Sequence, residues 1–497
     1  MRGEDAKPPT VEAAFPPSEP KPPRPRQRSS SALAALGTRW DEWLFLVFLA
    51  LLAWVPFWFG SNSPVAWGAN AVGFGALALL YELGLLATRR RHPLAARRVW
   101  FPVLAFLVVC FWSLLQLAPF LPVGYQHPIW QMAREALGRE MQGAISVNRD
   151  DTAIALTRFG ACGLCFWLAA QFCRSSARAR KLTLALAAIG VAYALYGILA
   201  FYLFPGTMLW FDKRYYLDSV TSTFVNRNTY ATYAGIGLMT ALALAANLFL
   251  DRGASRGANF ARKLAQFVAS LVGAGGLALA SLFFLGAALM LTGSRGGFFA
   301  TLAGVLTFLL LAAVRGRKNA VAAGFGGLAV GLAIAAAVFN FGDLLADRLS
   351  SQGLASDDRL AVYGLTWSSI ADAPLFGFGD GTFQRAFYMY RDASISPFGV
   401  WDKAHNSYLE LLQGLGVPVA TVLLLSLAWA FSRCVHAAVT RRRSAAAPLA
   451  ASAATVVVGL HAFVDFSLQI EAVALTFAAL LGAGVAQSWS SSVSTER

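Results

Sequence analysis

The chain has 497 residues, 57% of them hydrophobic and only 13% charged, with a mean hydropathy of +0.55. That charge fraction is about half the norm for a soluble domain, which excludes an ordinary water-soluble enzyme and makes lipid the expected solvent. The formal net charge of +15 is then read first as a topology signal, not as a nucleic-acid footprint.

Residues 1–40 carry proline pairs at 8–9, 16–17 and 22–23. They are too polar and too proline-rich to bury a core, and are expected to form a disordered tail. From 41 to 487 the sequence reads as one helical membrane domain. Apolar runs long enough for about 30 Å of hydrocarbon fall at Trp43–Phe59, Val65–Ala87, Trp100–Phe120, Ala153–Phe172, Leu182–Phe204 and Ala231–Leu250. The second half adds Leu264–Leu291, Gly297–Val314, Ala320–Phe341, Tyr408–Phe431, Ala445–Val464 and Ile470–Val485. Backbone groups in lipid must bond internally, and no alternating strand pattern is present, so an all-α polytopic protein of about twelve spans is expected. The first span follows basic residues without a small-x-small cleavage site and reads as an uncleaved anchor. Residues 488–497 form a short serine-rich tail. The five cysteines lie in or beside helices and read as small packing groups, with no disulfide or zinc framework.

Every second connection is short and basic: Arg89 to Arg98, Arg174 to Lys181, Arg252 to Lys263, Arg315 to Lys318 and Arg433 to Arg443. The positive-inside rule puts these, and both termini, in the cytoplasm. The intervening segments then face outward, and three are long: 121–152, 205–228 and 342–405. The last far exceeds a bundle connector and is the expected functional loop. Within it, residues 357–370 read as a helix opened by acidic residues, with Leu360, Tyr363, Trp367 and Ile370 on one face suited to a membrane surface. Gly377, Gly379 and Gly381 follow as a flexible turn.

Several outward-facing residues are candidates for chemistry. Arg295, between Ser294 and a glycine pair, is either a snorkelling anchor or a cation drawn inward to hold an anion, with the glycines opening backbone N–H groups to it. Arg227 sits between Asn226 and Asn228, a fork with amide neighbours that suits phosphate oxygens and sugar hydroxyls, or else a plain polar loop tip. Arg158 lies about a turn inside its span and either snorkels or adds a third cation to the same site. Arg359 is a weaker candidate. His405, next to Asn406 and at the end of the long loop, has a side chain suited to accepting a hydroxyl proton near neutrality. His461 and Asp465 stand four apart on one helix face and either bond to each other or complete the site. No metal-ligand spacing, Walker lysine or dinucleotide fingerprint is present.

The ordered set Asn226-Arg-Asn, Ser294-Arg-Gly-Gly, Arg359, Trp367, Pro374-Leu-Phe-Gly-Phe-Gly and His405-Asn-Ser-Tyr-Leu, followed by Gly414-Leu-Gly, resembles the O-antigen ligase and O-antigen polymerase family. The strong part of the resemblance runs from about 270 to 425, including the loop 342–405. It implies a multi-span glycosyltransferase of the bacterial inner membrane, working on the periplasmic face without nucleotide, metal or other cofactor. The implied donor is a glycan on undecaprenyl diphosphate. The acceptor is lipid A–core in ligases and a second lipid-linked glycan in polymerases. Membrane lipids are further partners, and nucleic acid is not. On matching positions, Arg227 and Arg295 would hold the diphosphate and His405 would take or orient the acceptor proton. A ligase is the first expectation, a polymerase the alternative. A transporter is disfavoured because the polar motifs lie at helix ends and no internal repeat is evident.

Overall fold

The computed structural model describes residues 28–252, 274–315, 357–396, 400–441 and 444–489. The expected span Ala320–Phe341, the start of Leu264–Leu291, the loop portion 342–356 and the tail segments 1–27 and 490–497 lie outside them. Every other expected span is helical, and the only strands among the described residues form a hairpin pairing Thr207–Met208 with Phe211–Asp212.

The helices are α1 (Arg28–Trp54), α2 (Pro64–Ala87), α3 (Trp100–Leu117), α4 (Ile129–Leu137), α5 (Arg149–Phe172), α6 (Ser176–Leu203), α7 (Arg227–Arg252), α8 (Ala274–Leu291) and α9 (Arg295–Arg315). After these come α10 (Asp357–Asp372), α11 (Phe383–Phe387), α12 (Ser407–Leu415), α13 (Val417–Thr440), α14 (Ala446–His461) and α15 (Glu471–Ala486). Among the described residues, seven helical segments are long and apolar enough to cross a membrane, those of α2, α3, α5, α6, α7, α9 and α13; α8, α14 and α15 are shorter apolar helices. The first expected span is cut short: α1 starts at Arg28 and stops at Trp54, and turns replace it around Pro56, which cannot donate to a helical ladder.

Helix α7 is the centre of the bundle. Of its spanning window 89% is buried, and α6, α8, α9 and α14 pack around it. Small residues let these neighbours approach: a side-chain carbon on Gly297 would come within 2.5 Å of Ala231, and one on Gly237 would stand 3.6 Å from Gly190 Cα. The basic connections among the described residues collect at one end. There Arg174 donates to the Trp489 carbonyl (3.0 Å), Arg315 to the Arg441 carbonyl (3.0 Å), and Arg433 lies 4.7 Å over the Trp489 ring. Arg227, Arg295 and Glu471 begin their helices at the opposite end, so the alternation of charge read along the chain corresponds to two ends of one bundle.

The polar end is capped by residues 357–415. Val362, Phe383, Phe387, Ile395 and Ala404 make a small core of their own. Helix α10 buries Val362, Thr366, Ser369 and Ile370 and exposes Leu360 and Trp367, so the expected apolar face is shared: Ile370 faces inward while Leu360 and Trp367 face out. The expected tenth span, Tyr408–Phe431, is two helices. Gly416 breaks it at φ 78°, with Pro418 in the first turn of α13. The glycine turn is not a loose one. Phe378 N donates to Gln413 O (2.9 Å), Gly379 N to Gly414 O (3.1 Å), and a side chain on Gly377 would strike the Gly414 carbonyl at 2.5 Å. Gly377 and Gly416 are thus held against each other's backbone in conformations that L-residues avoid. Gly416→Ala is expected to lower the Tm of the purified protein by several degrees and its membrane abundance with it, since such strain costs about 1–3 kcal/mol; an unchanged melting curve would refute this packing role.

Candidate anion and proton-transfer site

Three arginines read from the sequence meet in one cavity of about 310 Å³ at the polar end, lined by Arg227, Asn228, Arg295, Gly296, Arg359, His461 and Val464 among others. None of its described lining residues is a carboxylate. Two of the guanidiniums come from the first turn of a helix, since Arg227 opens α7 and Arg295 opens α9, and Arg359 is the third described residue of α10. The helix macrodipole disfavours a cation there by about 0.3–1 kcal/mol, whereas it favours a bound anion. Two cations at helix starts with a third beside them are a poor arrangement for stability alone and a good one for a multiply charged anion.

The polar residues flanking the arginines are mostly occupied. Asn226 Oδ1 accepts from Asn228 N (2.7 Å), Ser294 Oγ from Gly297 N (3.2 Å), and Asn406 Oδ1 from Tyr408 N and Leu409 N (both 3.1 Å). They cap α7, α9 and α12, which fixes where the arginines start and leaves Asn228 as the amide on the cavity wall. The glycine pair after Arg295 also makes room for protein neighbours: side chains at Gly296 and Gly297 would meet His461 and Ala231, and Gly296 lies on the cavity wall. Arg227 is further set by its cation–π contact with Tyr216 (5.1 Å) and a 3.4 Å bond to Ser219 Oγ.

His405 does not line this cavity. Its ring packs edge-on against Trp401 and Phe466, with centroids at 5.6 and 4.9 Å, and its Nδ1 stands 4.0 Å from Asp465 Oδ1. It is a positive-φ residue (53°), and Tyr363 Oη donates to its carbonyl (2.9 Å). Burial, and then the nearby Arg359 guanidinium, push its pKa down to about 4 against the partial opposition of Asp465 and Asp402. The ring is therefore neutral at pH 7 and free to accept a proton.

His461 and Asp465 do not bond to each other directly. His461 Nδ1 is hydrogen-bonded to Thr232 Oγ1, which donates to Ser467 Oγ (2.8 Å), which donates in turn to Asp465 Oδ2. With the Thr232 proton given to Ser467, His461 Nδ1 is the donor, and its Nε2, close to Gly296, is an acceptor on the cavity side. Asp465 is fully buried and its Oδ1 has no hydrogen-bond partner. One carboxylate thus reaches His461, on the wall of the arginine cavity, through two hydroxyls and stands 4.0 Å from His405 behind it. Thr232 and Ser467 carried no signal in the sequence, because a hydroxyl in an apolar helix ordinarily bonds to its own preceding turn.

Because His405 titrates below its unfolded value, the unfolded chain takes up the proton first as pH falls. Its contribution is full above about pH 6.5 and is lost on acidification toward pH 4. The Tm is expected to fall over that interval, and to fall less in His405→Gln; equal slopes in the two proteins would show that another group carries the acid sensitivity.

Arg158 does not join the other arginines. It lies in a second cavity, its Nε 3.8 Å from Glu471 Oε1 and its guanidinium 4.6 Å over the Trp67 ring. A comparison with curated proteins finds no match. Residues 280–425 match the family model described as O-antigen ligase, a segment holding Arg295, Arg359, His405 and the glycine turn. Over that segment the chain is similar to the O-antigen ligase family, which together with its apolar helices supports a membrane-embedded protein of ligase-type polysaccharide biosynthesis.

Proposed function

We propose that the protein transfers a glycan from undecaprenyl diphosphate to an acceptor sugar of lipid A–core, on the periplasmic face of the bacterial inner membrane. One observation carries this reading: three guanidiniums share a cavity with no carboxylate among its described lining residues. Breaking a glycosyl–diphosphate bond places negative charge on the departing phosphate, so fixed cations lower that barrier more than an acid does. Arg227, Arg295 and Arg359 hold the diphosphate. The acceptor oxygen forms its bond to the anomeric carbon as the phosphate oxygen leaves, and the acceptor proton is taken by the imidazole pair: His461 Nε2 is the acceptor on the cavity wall, and His405 stands behind it, 4.0 Å from the same Asp465 carboxylate. Seating the diphosphate neutralises Arg359 and raises the proton affinity of His405, so the base strengthens once the donor is bound. The outward Leu360 and Trp367 of α10 suit a helix resting on the bilayer beside the polyprenyl chain. The basic end around Trp489 would face the cytoplasm together with both termini.

The test is the surface-glycan profile of a strain lacking the gene. Core without polysaccharide is the expected result. One repeat left on core would identify a polymerase, and an unchanged profile would exclude both activities.

A further inference from the structure

A second cavity, of about 410 Å³, opens at the same polar end between α2, α5, α15 and the segment 380–414. It shares the 402–410 stretch with the His405 turn, through Asp402, Lys403, Ser407 and Glu410. Its chemistry is unlike that of the arginine cavity: carboxylates outnumber cations along its wall. Two of its buried polar atoms, Glu471 Oε1 and Arg158 Nε, have no hydrogen-bond partner. The Glu471 side chain is only 1% exposed, and its other oxygen accepts from Asn70 Nδ2 at 2.5 Å. A buried carboxylate oxygen left without a donor beside a cavity carries a desolvation penalty of about 1–3 kcal/mol or more, which a ligand hydroxyl would relieve.

We propose that this second cavity is a glycan subsite, which holds a sugar ring of the transfer reaction by its hydroxyls while the arginine cavity holds the diphosphate. The inference rests on the glycan-transfer reading above. A phosphate is the wrong ligand here, because the wall is net acidic. An apolar chain is equally unsuited, because it would leave Glu471 and Arg158 unsatisfied. Sugar hydroxyls both donate and accept: adjacent hydroxyls can give two bonds to one carboxylate and receive from a guanidinium. Glu471, Arg158, Asp380 and Glu410 provide such groups, and Trp67 and Phe159 add apolar surface for C–H faces. Burial pushes the Asp380 and Glu410 carboxyls above their ordinary range, with Arg158 and Lys403 respectively opposing it. The volume falls within the usual range for small-molecule sites. The ring belongs either to the donor glycan or to the acceptor, and both present the same hydroxyl chemistry.

The test uses the full chain in lipid nanodiscs and three probes: inorganic pyrophosphate, the oligosaccharide repeat released from the strain's polymer, and the oligosaccharide of its deacylated core. Glu471→Gln and Asp380→Asn are expected to weaken one oligosaccharide at least tenfold and to leave pyrophosphate binding within twofold. Loss of the polymer repeat identifies a donor subsite, and loss of the core oligosaccharide an acceptor subsite. Unchanged binding of both overturns the subsite, as does a parallel loss of pyrophosphate. Arg295→Ala tests the underlying reading separately: pyrophosphate binding that survives it counts against the diphosphate site and leaves the oligosaccharide result standing.

Discussion

Arg295→Ala is expected to reduce glycan transfer by about 10²–10³-fold, the range seen when one preorganised charge-stabilising donor is removed from a reaction centre. The residue opens α9 with its cap on Ser294, so its backbone position is set by the helix start and not by its side chain. Arg295→Lys keeps the charge but not the planar fork, and should recover only part of the activity. Transfer measured in membrane vesicles, normalised to protein by immunoblot, checks both variants. Near-normal transfer in Arg295→Ala would remove this arginine from the proposed mechanism.

Asp465→Asn is expected to be as damaging, lowering the rate by about 10²–10³-fold within the usual range for proton-transfer groups. The carboxylate accepts from Ser467 and faces Nδ1 of His405, and through Ser467 and Thr232 it fixes which nitrogen of His461 carries a proton. An amide replaces one acceptor oxygen with a donor, which reverses a bond in that chain or breaks it. The loss should appear in kcat, with pyrophosphate affinity little changed, because no lining residue of the arginine cavity is altered. Reduced pyrophosphate affinity at unchanged kcat would mean that Asp465 supports the arginines and not the imidazoles. Thr232→Val should interrupt the same chain at its other end and give a smaller loss.

Much of this arrangement can be read in the sequence, and the unread part has physical causes. Spans announce themselves because apolar runs must match the bilayer and basic pairs mark one side. Arg227 and Arg295 are legible because a charge at the edge of an apolar run requires a reason, whereas Arg359, inside the long loop, gives a weaker signal, and Arg158, the expected third cation, lies in the other cavity. Their neighbours are misleading: Asn226, Ser294 and Asn406 look like ligand groups, yet their side-chain oxygens close helix ends. Gly416 and Pro418 do signal a break within the tenth apolar run, but hydrophobicity continues through it and hides the turn. The companions of Arg158 are legible only in three dimensions, since Glu471 lies more than three hundred positions away. The same holds for Thr232 and Ser467, which are separated by 235 positions.

The near-complete enclosure of α7 has a consequence for how the enzyme meets its lipid surroundings. Hydrophobic mismatch is absorbed by tilting, at a cost of fractions of a kcal/mol per ångström, and it acts on helices that touch acyl chains. Arg227 and Thr232 ride on a post that its neighbours insulate from those chains. Growth temperature or acyl-chain length can therefore rock the peripheral helices while the seat of the leaving group keeps its geometry.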